Sequence, residues 1–207
     1  MKKRFSRREF GYLVFGSGVF VAGYSLAGSL AQTQAIQDVQ ALKPTPANTL
    51  GPFYRSGAPK RDKLVEMGQS GTPLLVTGRV IDLAGRPLNR AVLEVFHADH
   101  DGEYDMSGFN CRGEIPITAN GEYKYETVMP AAYGGRAQHI HYRVNAPGQK
   151  GLITQLYFET DPKFAGNPDQ NYVEDRLVEH RELIRPVGTI TKNGLTYRTV
   201  SFDICLA

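Results

Sequence analysis

Hydrophobic and polar residues alternate in short stretches through most of this chain after residue 73. The clearest case is residues 122–127, where Tyr123, Tyr125 and Thr127 alternate with charged residues. A period of two is typical of a strand with one buried face. Further runs rich in Val, Leu and Ile complete a set of predicted strands, at residues 74–82, 91–98, 122–127, 138–144, 152–158, 187–191 and 195–204.

Turn residues separate these strands, as in AGRP at 84–87 and KNG at 192–194. Helical periodicity is weak, and only residues 169–178 favour a short helix. About seven short strands at this spacing predict an all-β fold, an antiparallel β-sandwich. Residues 49–73 are rich in Gly and Pro and lack periodicity, so we interpret them as an irregular arm covering a single domain at 49–207.

The first 31 residues have a different pattern. A basic head that includes Arg7 and Arg8 precedes an uncharged apolar stretch, which ends in small residues. This order is typical of a secretory signal, and the paired arginines favour the twin-arginine route. We therefore expect a periplasmic or extracellular protein with no stable membrane span once the signal is removed, with residues 32–48 as a linker. An uncleaved anchor stays open, since about 20 apolar residues can cross a bilayer.

The net charge of +3 belongs to this N-terminal segment. Its five basic residues and one acidic residue give it +4, which leaves −1 for the rest of the chain. No cluster of Lys and Arg outside the segment indicates a nucleic-acid surface. Two cysteines, Cys111 and Cys205, do not form a disulfide framework, and pairing and free thiols both stay open.

Residues 133–141, YGGRAQHIH, bring a phenol, a guanidinium and two imidazoles close together in the chain. On a strand, His139 and His141 point to the same face about 7 Å apart, while Ile140 points to the other. Two imidazoles on one face can bind one metal ion. The alternatives are hydrogen-bonded histidines without a metal and a Tyr133 that only packs in the turn.

Several further segments lie before and after this motif in a characteristic order along the chain. They read GPFY at 51–54, VLEVFHA at 92–98 with GEY at 102–104, NCR at 110–112, ANGEY at 119–123, MPAAYG at 129–134, RAQHIH at 136–141 and LITQLYF at 152–158. With these segments the chain resembles the intradiol ring-cleavage dioxygenases, the catechol 1,2- and protocatechuate 3,4-dioxygenase group. The five residues between Tyr133 and His139, and the short N-terminal region, favour a compact, exported branch.

The resemblance implies that Tyr104, Tyr133, His139 and His141 bind Fe(III). Two phenolates and two neutral imidazoles form a hard, anionic site that favours ferric iron, unlike the two-histidine, one-carboxylate sites of Fe(II) oxygenases. The implied reaction cleaves a catechol-type diol with O2, incorporating both oxygen atoms, to give a muconate-type diacid. Tyr133 is the phenol expected to leave the metal when substrate binds.

The resemblance also implies roles outside the metal shell. Arg136 would stabilise negative charge on the substrate, as fixed cationic donors do elsewhere. Gln155 would hold Arg136 in place, and Tyr54 and Pro52 would line the substrate pocket. For Tyr54, Pro52 and Gln155 the alternative is ordinary packing or a polar residue on a sandwich face. The ring substituents of the substrate and any homo-oligomer stay open.

Two other classes of function remain at this point. The first is a metal-free sandwich that binds a ligand or a protein without catalysis. The second is a zinc hydrolase that uses His139 and His141, although zinc sites have little use for two tyrosines.

Overall fold

The computed structural model describes residues 42–66 and 69–207. The predicted signal segment and most of the predicted linker therefore lie outside the described residues. The described residues belong to one compact unit. Within them, no helix has both the length and the apolar character needed to cross a membrane.

In the described residues, ten strands form two five-stranded sheets, which confirms the all-β sandwich. The strands are β1 Pro73–Asp82, β2 Val92–His97, β3 Arg112–Ile115, β4 Glu122–Val128, β5 His139–Asn145, β6 Leu152–Phe158, β7 Ile184–Arg185, β8 Gly188–Lys192, β9 Leu195–Ser201 and β10 Ile204–Leu206. In the first sheet β1 pairs with β4, β9 and β10, and β8 continues from β9. The second sheet has the order β3-β2-β5-β6-β7.

Most strand pairs are antiparallel, as the sequence predicts, but the sheets also contain parallel pairs that it does not predict. β1 runs parallel to β9 and to β10, and β6 runs parallel to β7. A parallel pair needs a crossover between strands that are distant in the chain, so alternation within a strand does not reveal it. The helix expected at residues 169–178 is a single turn, α1 Pro168–Asn171, followed by a 3₁₀ turn at Tyr172–Glu174.

The core fills the space between the two sheets. Tyr125 of the first sheet and Tyr142 of the second are fully buried, and their hydroxyls lie 2.5 Å apart. This contact satisfies polar groups that would otherwise be costly to bury. Since Tyr142 faces the core, the neighbouring residues His141 and Arg143 lie on the opposite face of β5.

The described residues before β1, 49–66 and 69–72, run along the opposite face and along strand edges of the sandwich. The backbone N–H of Arg61 donates to Glu114 of β3, and that of Leu64 donates to Glu126 of β4. Leu64 is fully buried. The arm therefore covers strand edges that would otherwise expose unpaired backbone groups, and it brings residues 49–54 above β5.

Candidate metal centre

Two imidazoles on β5 form the base of the site. β5 lies in the middle of the second sheet, with β2 on one side and β6 on the other. His139 and His141 are 4% and 3% exposed, and their Nε2 atoms lie 3.1 Å apart. The alternation of a strand with neighbours on both sides fixes this orientation.

Both imidazoles have their Nδ1–H groups bound to backbone carbonyls, as assigned from the hydrogen-bond network. His139 Nδ1 lies 2.6 Å from the carbonyl oxygen of Ala137. The carbonyl of Thr49 accepts a hydrogen bond from His141, and the Gln155 amide nitrogen lies 2.7 Å from the same carbonyl and 3.2 Å from His141 Nδ1. We assign the proton to His141 Nδ1, because a carbonyl can only accept and Nε2 faces the site. With Nδ1 protonated in both rings, each Nε2 presents a lone pair to the site.

Tyr104 reaches the same point from the loop between β2 and β3. Its hydroxyl lies 3.1 Å from His141 Nε2 and 3.3 Å from His139 Nε2. The ring of Phe53, in the arm, stacks on Tyr104 with centroids 4.3 Å apart and planes 9° from parallel. The arm and the loop together therefore hold the Tyr104 phenol against the two imidazoles.

The three atoms form a nearly equilateral triangle that fits one metal ion. Ligands at about 2.1 Å from a common ion, the usual length for imidazole nitrogen, are separated by about 3 Å. Without a cation, two lone pairs would face each other across 3.1 Å, and the single Tyr104 proton satisfies only one of them. The donor chemistry of this triangle therefore matches a bound cation.

Burial sets the protonation of these groups. Desolvation lowers the pKa of His139 to about 4 and lowers the pKa of His141 well below its usual value, so both rings are neutral at pH 7. Desolvation also raises the pKa of Tyr104 to about 12, against the opposing effect of the Arg136 and Arg112 charges. The phenol thus needs a cation at the triangle to lose its proton at neutral pH.

Tyr133 lies beside this triangle and is more open. Its ring packs edge-on against Tyr104, with centroids 5.6 Å apart, and edge-on against Phe53 at 5.0 Å. The residue is 38% exposed, and in residues 42–66 and 69–207 its hydroxyl has no hydrogen-bond partner. The structure therefore places the second phenol next to the first and leaves its oxygen free.

Arg136 is held by three side chains. Its Nε donates to both carboxylate oxygens of Asp175 at 2.9 Å. Its Nη2 donates to Gln155 Oε1 at 2.9 Å and to the Tyr157 hydroxyl at 2.7 Å. Within the described part of the chain Nη1 makes no hydrogen bond, which leaves one donor for a ligand.

Gln155 links the arginine to the metal centre. Its oxygen accepts from Arg136, and its nitrogen donates to the Thr49 carbonyl that holds His141. The side chain is fully buried. One amide thus fixes the position of a cationic donor relative to the His141 imidazole.

Tyr54 and Pro52 lie in the arm, and the Phe96 ring separates Tyr54 from the triangle. The Tyr54 ring is 5.8 Å from Phe96, whose ring stacks on His141 at 4.4 Å. The Tyr54 hydroxyl donates to Glu94 at 2.9 Å and is therefore engaged. Pro52 is exposed, between Gly51 and Phe53.

A second group of converging ligand atoms, at Asp99, His100 and Asp101, begins the loop that carries Tyr104. Asp99 Oδ1 accepts the backbone N–H groups of Asp101 and Glu103 at 3.0 Å. Through these hydrogen bonds Asp99 stabilises the turn that begins the loop.

An open depression of about 500 Å³ borders the centre at Arg136 and Gln138. Two larger depressions, of about 670 and 610 Å³, contain none of the residues expected at the site.

Sequence reasoning missed several residues of the site. Tyr157 was within reach, since it lies two positions after Gln155 on β6 and so shares its face. Asp175 is 39 positions from Arg136, in a segment without periodicity, and no local pattern indicated it. The stacking of Phe53 on Tyr104 and the burial of Arg112 also arise only from the folded arrangement.

Comparison with known proteins agrees with this geometry. A family profile described as Dioxygenase matches residues 49–207. The chain is 30% identical to the chlorocatechol 1,2-dioxygenase of Rhodococcus opacus over 186 residues, which cover 75% of this chain and 70% of that protein. It is 35% identical to catechol 1,2-dioxygenase 2 of Acinetobacter lwoffii over 144 residues, 57% of this chain and 52% of that one.

A similar solved structure is the dioxygenase domain of a dioxygenase and carbohydrate-binding protein fusion from Streptomyces sp. SirexAA-E. The TM-score is 0.64 at 33% identity, and the match covers 79% of this chain and 98% of that one. The chain belongs to the intradiol ring-cleavage dioxygenase family. It spans about half the length of the Acinetobacter relative.

Proposed function

We propose that this protein is an intradiol dioxygenase that uses Fe(III) and O2 to cleave catechol-type aromatic diols to muconate-type diacids. Tyr104, Tyr133, His139 and His141 are the proposed iron ligands. The observation that carries the proposal is the triangle of Tyr104 Oη, His139 Nε2 and His141 Nε2, with sides of 3.1 to 3.3 Å. Relatives named as catechol, chlorocatechol and hydroxyquinol 1,2-dioxygenases support this class of substrate.

Phenolate ligands support iron in its ferric state. Anionic oxygen donors stabilise the higher charge, and two neutral imidazoles complete a hard site. The bound ferric ion supplies Lewis acidity and accepts electron density from the diol. The chain contributes the orientation of the ligands through the Ala137 and Thr49 carbonyls.

Tyr133 is the proposed proton acceptor for substrate binding. Its oxygen has no hydrogen-bond partner in the described residues, and its ring is more exposed than that of Tyr104. On binding of a diol, the Tyr133 oxygen would take up one of the two substrate protons, and the second would pass to solvent. Tyr104, stacked under Phe53, stays in place.

Arg136 is the proposed group that stabilises negative charge on the substrate. Asp175, Gln155 and Tyr157 orient its guanidinium before substrate arrives, and Nη1 stays available. Such preorganised donors act most strongly where water is excluded, and losing one costs about 2.7 to 4 kcal/mol of barrier.

Export is proposed on sequence grounds alone. The basic head with Arg7 and Arg8, the apolar stretch and the small residues after it support a twin-arginine signal. Replacing both arginines by lysine should keep the protein in the cytoplasm, as measured by fractionation of cells. A periplasmic yield equal to that of the native chain would contradict the twin-arginine route.

The activity is tested on purified protein loaded with Fe(III). We expect a visible colour from phenolate-to-iron charge transfer, a colour change when catechol is added without air, and oxygen uptake in air. A panel of catechol, protocatechuate and hydroxyquinol, followed by oxygen uptake and product analysis, identifies the preferred ring. A colourless protein that retains zinc would favour a hydrolase, and one that binds no metal would favour a binding module.

A further inference from the structure

Arg112, the first residue of β3, is a buried cation without a carboxylate partner. It is 1% exposed, yet no ion pair involves it among residues 42–66 and 69–207. Its guanidinium donates to the backbone carbonyls of Asp105 at 3.0 Å and Phe53 at 2.7 Å. Buried charges are usually paired or coordinated, so an unpaired one calls for a compensating anion.

The nearest acidic side chain, Asp105, is already engaged. Its carboxylate accepts the backbone N–H groups of Ser107, Gly108 and Asn110, at 2.6 to 2.9 Å. These bonds lower the pKa of Asp105 to about 2 and leave the group capping its own loop. Burial lowers the pKa of Arg112 and the Asp105 charge acts to raise it, but Arg112 bonds to Asp105 only through the backbone carbonyl of that residue.

The guanidinium faces the aromatic groups of the centre. Its Cζ lies 5.2 Å from the centroid of the Phe96 ring and 6.0 Å from that of Tyr104. Phe96 in turn stacks on His141 at 4.4 Å. A cation at this range is attracted by the ring electrons of a phenol, and more strongly by a phenolate.

Both carbonyls that Arg112 holds also belong to the surroundings of Tyr104. Asp105 is the residue directly after it, and Phe53 is the residue whose ring stacks on it. One side chain thus joins the loop to the arm at the point where the two enclose the phenol.

We propose that Arg112 is a positioning residue of the metal centre. Its guanidinium fixes the Tyr104 phenol through the Asp105 and Phe53 carbonyls, and the Tyr104 phenolate balances its buried charge. This inference rests on the proposed function, because it requires Tyr104 to bind a metal ion as a phenolate. Groups outside the ligand shell that orient a ligand in this way typically change metal affinity by about 10- to 100-fold.

The charge has a spectroscopic consequence. A cation next to the phenolate lowers the energy of its electrons and so raises the energy needed to transfer one of them to iron. Replacing Arg112 with an uncharged side chain should shift the charge-transfer absorption to longer wavelength. A residue that only supports the fold would leave the position of that absorption unchanged.

The test compares Arg112→Met, Arg112→Lys and Arg61→Met in the full chain loaded with Fe(III). Arg61 is the matched control, because it also anchors this loop through carbonyls, those of Phe109 and Arg112. We expect Arg112→Met to shift the absorption to longer wavelength and to lower iron affinity about 10- to 100-fold. Arg112→Lys should keep the band near its native position, and Arg61→Met should not move it.

Unfolding temperatures with and without iron give a second readout. Iron loading should raise the unfolding temperature of Arg112→Met less than that of the native chain, while Arg61→Met keeps the native increment. An unshifted band together with equal losses of stability in the metal-free and iron-loaded forms would overturn the proposal. If Arg112→Met does not fold, Arg112→Gln, which keeps a donor without the charge, must show the shift, and an unshifted band again overturns it.

The native protein separates this failure from that of the proposed function. If the iron-loaded native chain shows no phenolate charge transfer, the iron assignment itself fails. If the native band is present and Arg112→Met leaves it unchanged, only the role of Arg112 fails.

Discussion

The strand that carries the histidines and the loops that carry the tyrosines place their ligands by different means. His139 and His141 lie on a central strand, and alternation along its seven residues sets their direction. Tyr104 and Tyr133 lie in loops, and their positions depend on Phe53 and other residues far away in the chain. The two imidazoles are thus oriented by local sequence, while the two phenols are held by tertiary contacts.

The largest expected effect is loss of a strand ligand. His141→Ala removes one corner of the triangle, and the arm carbonyl of Thr49 loses one of its two partners and keeps Gln155. Iron content per chain and oxygen uptake should both fall to background. The control is His100→Ala, a histidine at the start of the Tyr104 loop whose Nε2 lies 3.3 Å from Asp101 and is not part of the triangle. Retained iron and activity in His141→Ala would show that the strand does not supply the metal site.

The loop ligands should differ from each other. Tyr104→Phe removes the phenol that lies within 3.3 Å of both imidazoles, whereas Tyr133 is exposed and its oxygen is free. We expect Tyr104→Phe to lose more iron affinity than Tyr133→Phe, as measured by competition with a chelator. Equal losses of iron affinity would mean that the two phenols bind iron equally strongly, which would contradict the expectation drawn from their different burial.

Asp175 tests the orientation of Arg136, although its carboxylate also accepts the backbone N–H of Ala137 at 2.8 Å. Asp175→Asn removes the charge that binds Nε, so the guanidinium loses its fixed position. A displacement of about 1 Å can lower turnover about 100-fold, and we expect kcat to fall about 10- to 100-fold with iron content unchanged. The control, Asp169→Asn, alters an exposed ion pair with Arg181 in the same segment. A native kcat in Asp175→Asn would exclude this role.

Acid should destabilise the metal-free protein through its buried strand histidines. Burial lowers the pKa of His97 to about 4 from 6.5, so the unfolded chain binds its proton at higher pH than the folded chain does. The stability from neutral His97 is present above pH 6.5 and is lost as pH falls toward 4. The full loss approaches roughly 3 kcal/mol. The free energy of unfolding of His97→Gln, measured with denaturant, should depend less on pH between 7 and 4.5 than that of the native chain. An identical pH dependence in the two chains would contradict the prediction.

The smallest expected effect tests whether the arm constrains His141 on the strand. Gly51 has φ +71°, and a Cβ there would lie 3.3 Å from His141 Cε1, while Gly57 has φ +81° and open space around it. Ala at either position should cost about 1 to 2 kcal/mol, since a left-handed conformation is unfavourable for a side chain. Only Gly51→Ala should also weaken iron binding. Equal iron affinity in both variants would show that the arm does not constrain His141.

The sequence predicts the strands of the sandwich well because alternation is a local property. It does not predict β3, β7 and β10, which have two to four residues, or the parallel pairings of β1, which join distant segments. At the site, His139 and His141 follow from spacing, whereas Tyr104 follows only from family resemblance. Asp175 and the Arg112 contacts depend on long-range packing that no local pattern contains.

The central claim is that one strand and two loops deliver two phenolates and two imidazoles to a single ferric ion. Resonance Raman spectra of the Fe(III)-loaded protein, excited in the charge-transfer band, count the bound tyrosinates directly. The native chain should show vibrations of two distinct tyrosinates, with one set lost in Tyr104→Phe and the other in Tyr133→Phe. A native spectrum without tyrosinate vibrations, or one that neither substitution changes, would contradict the account.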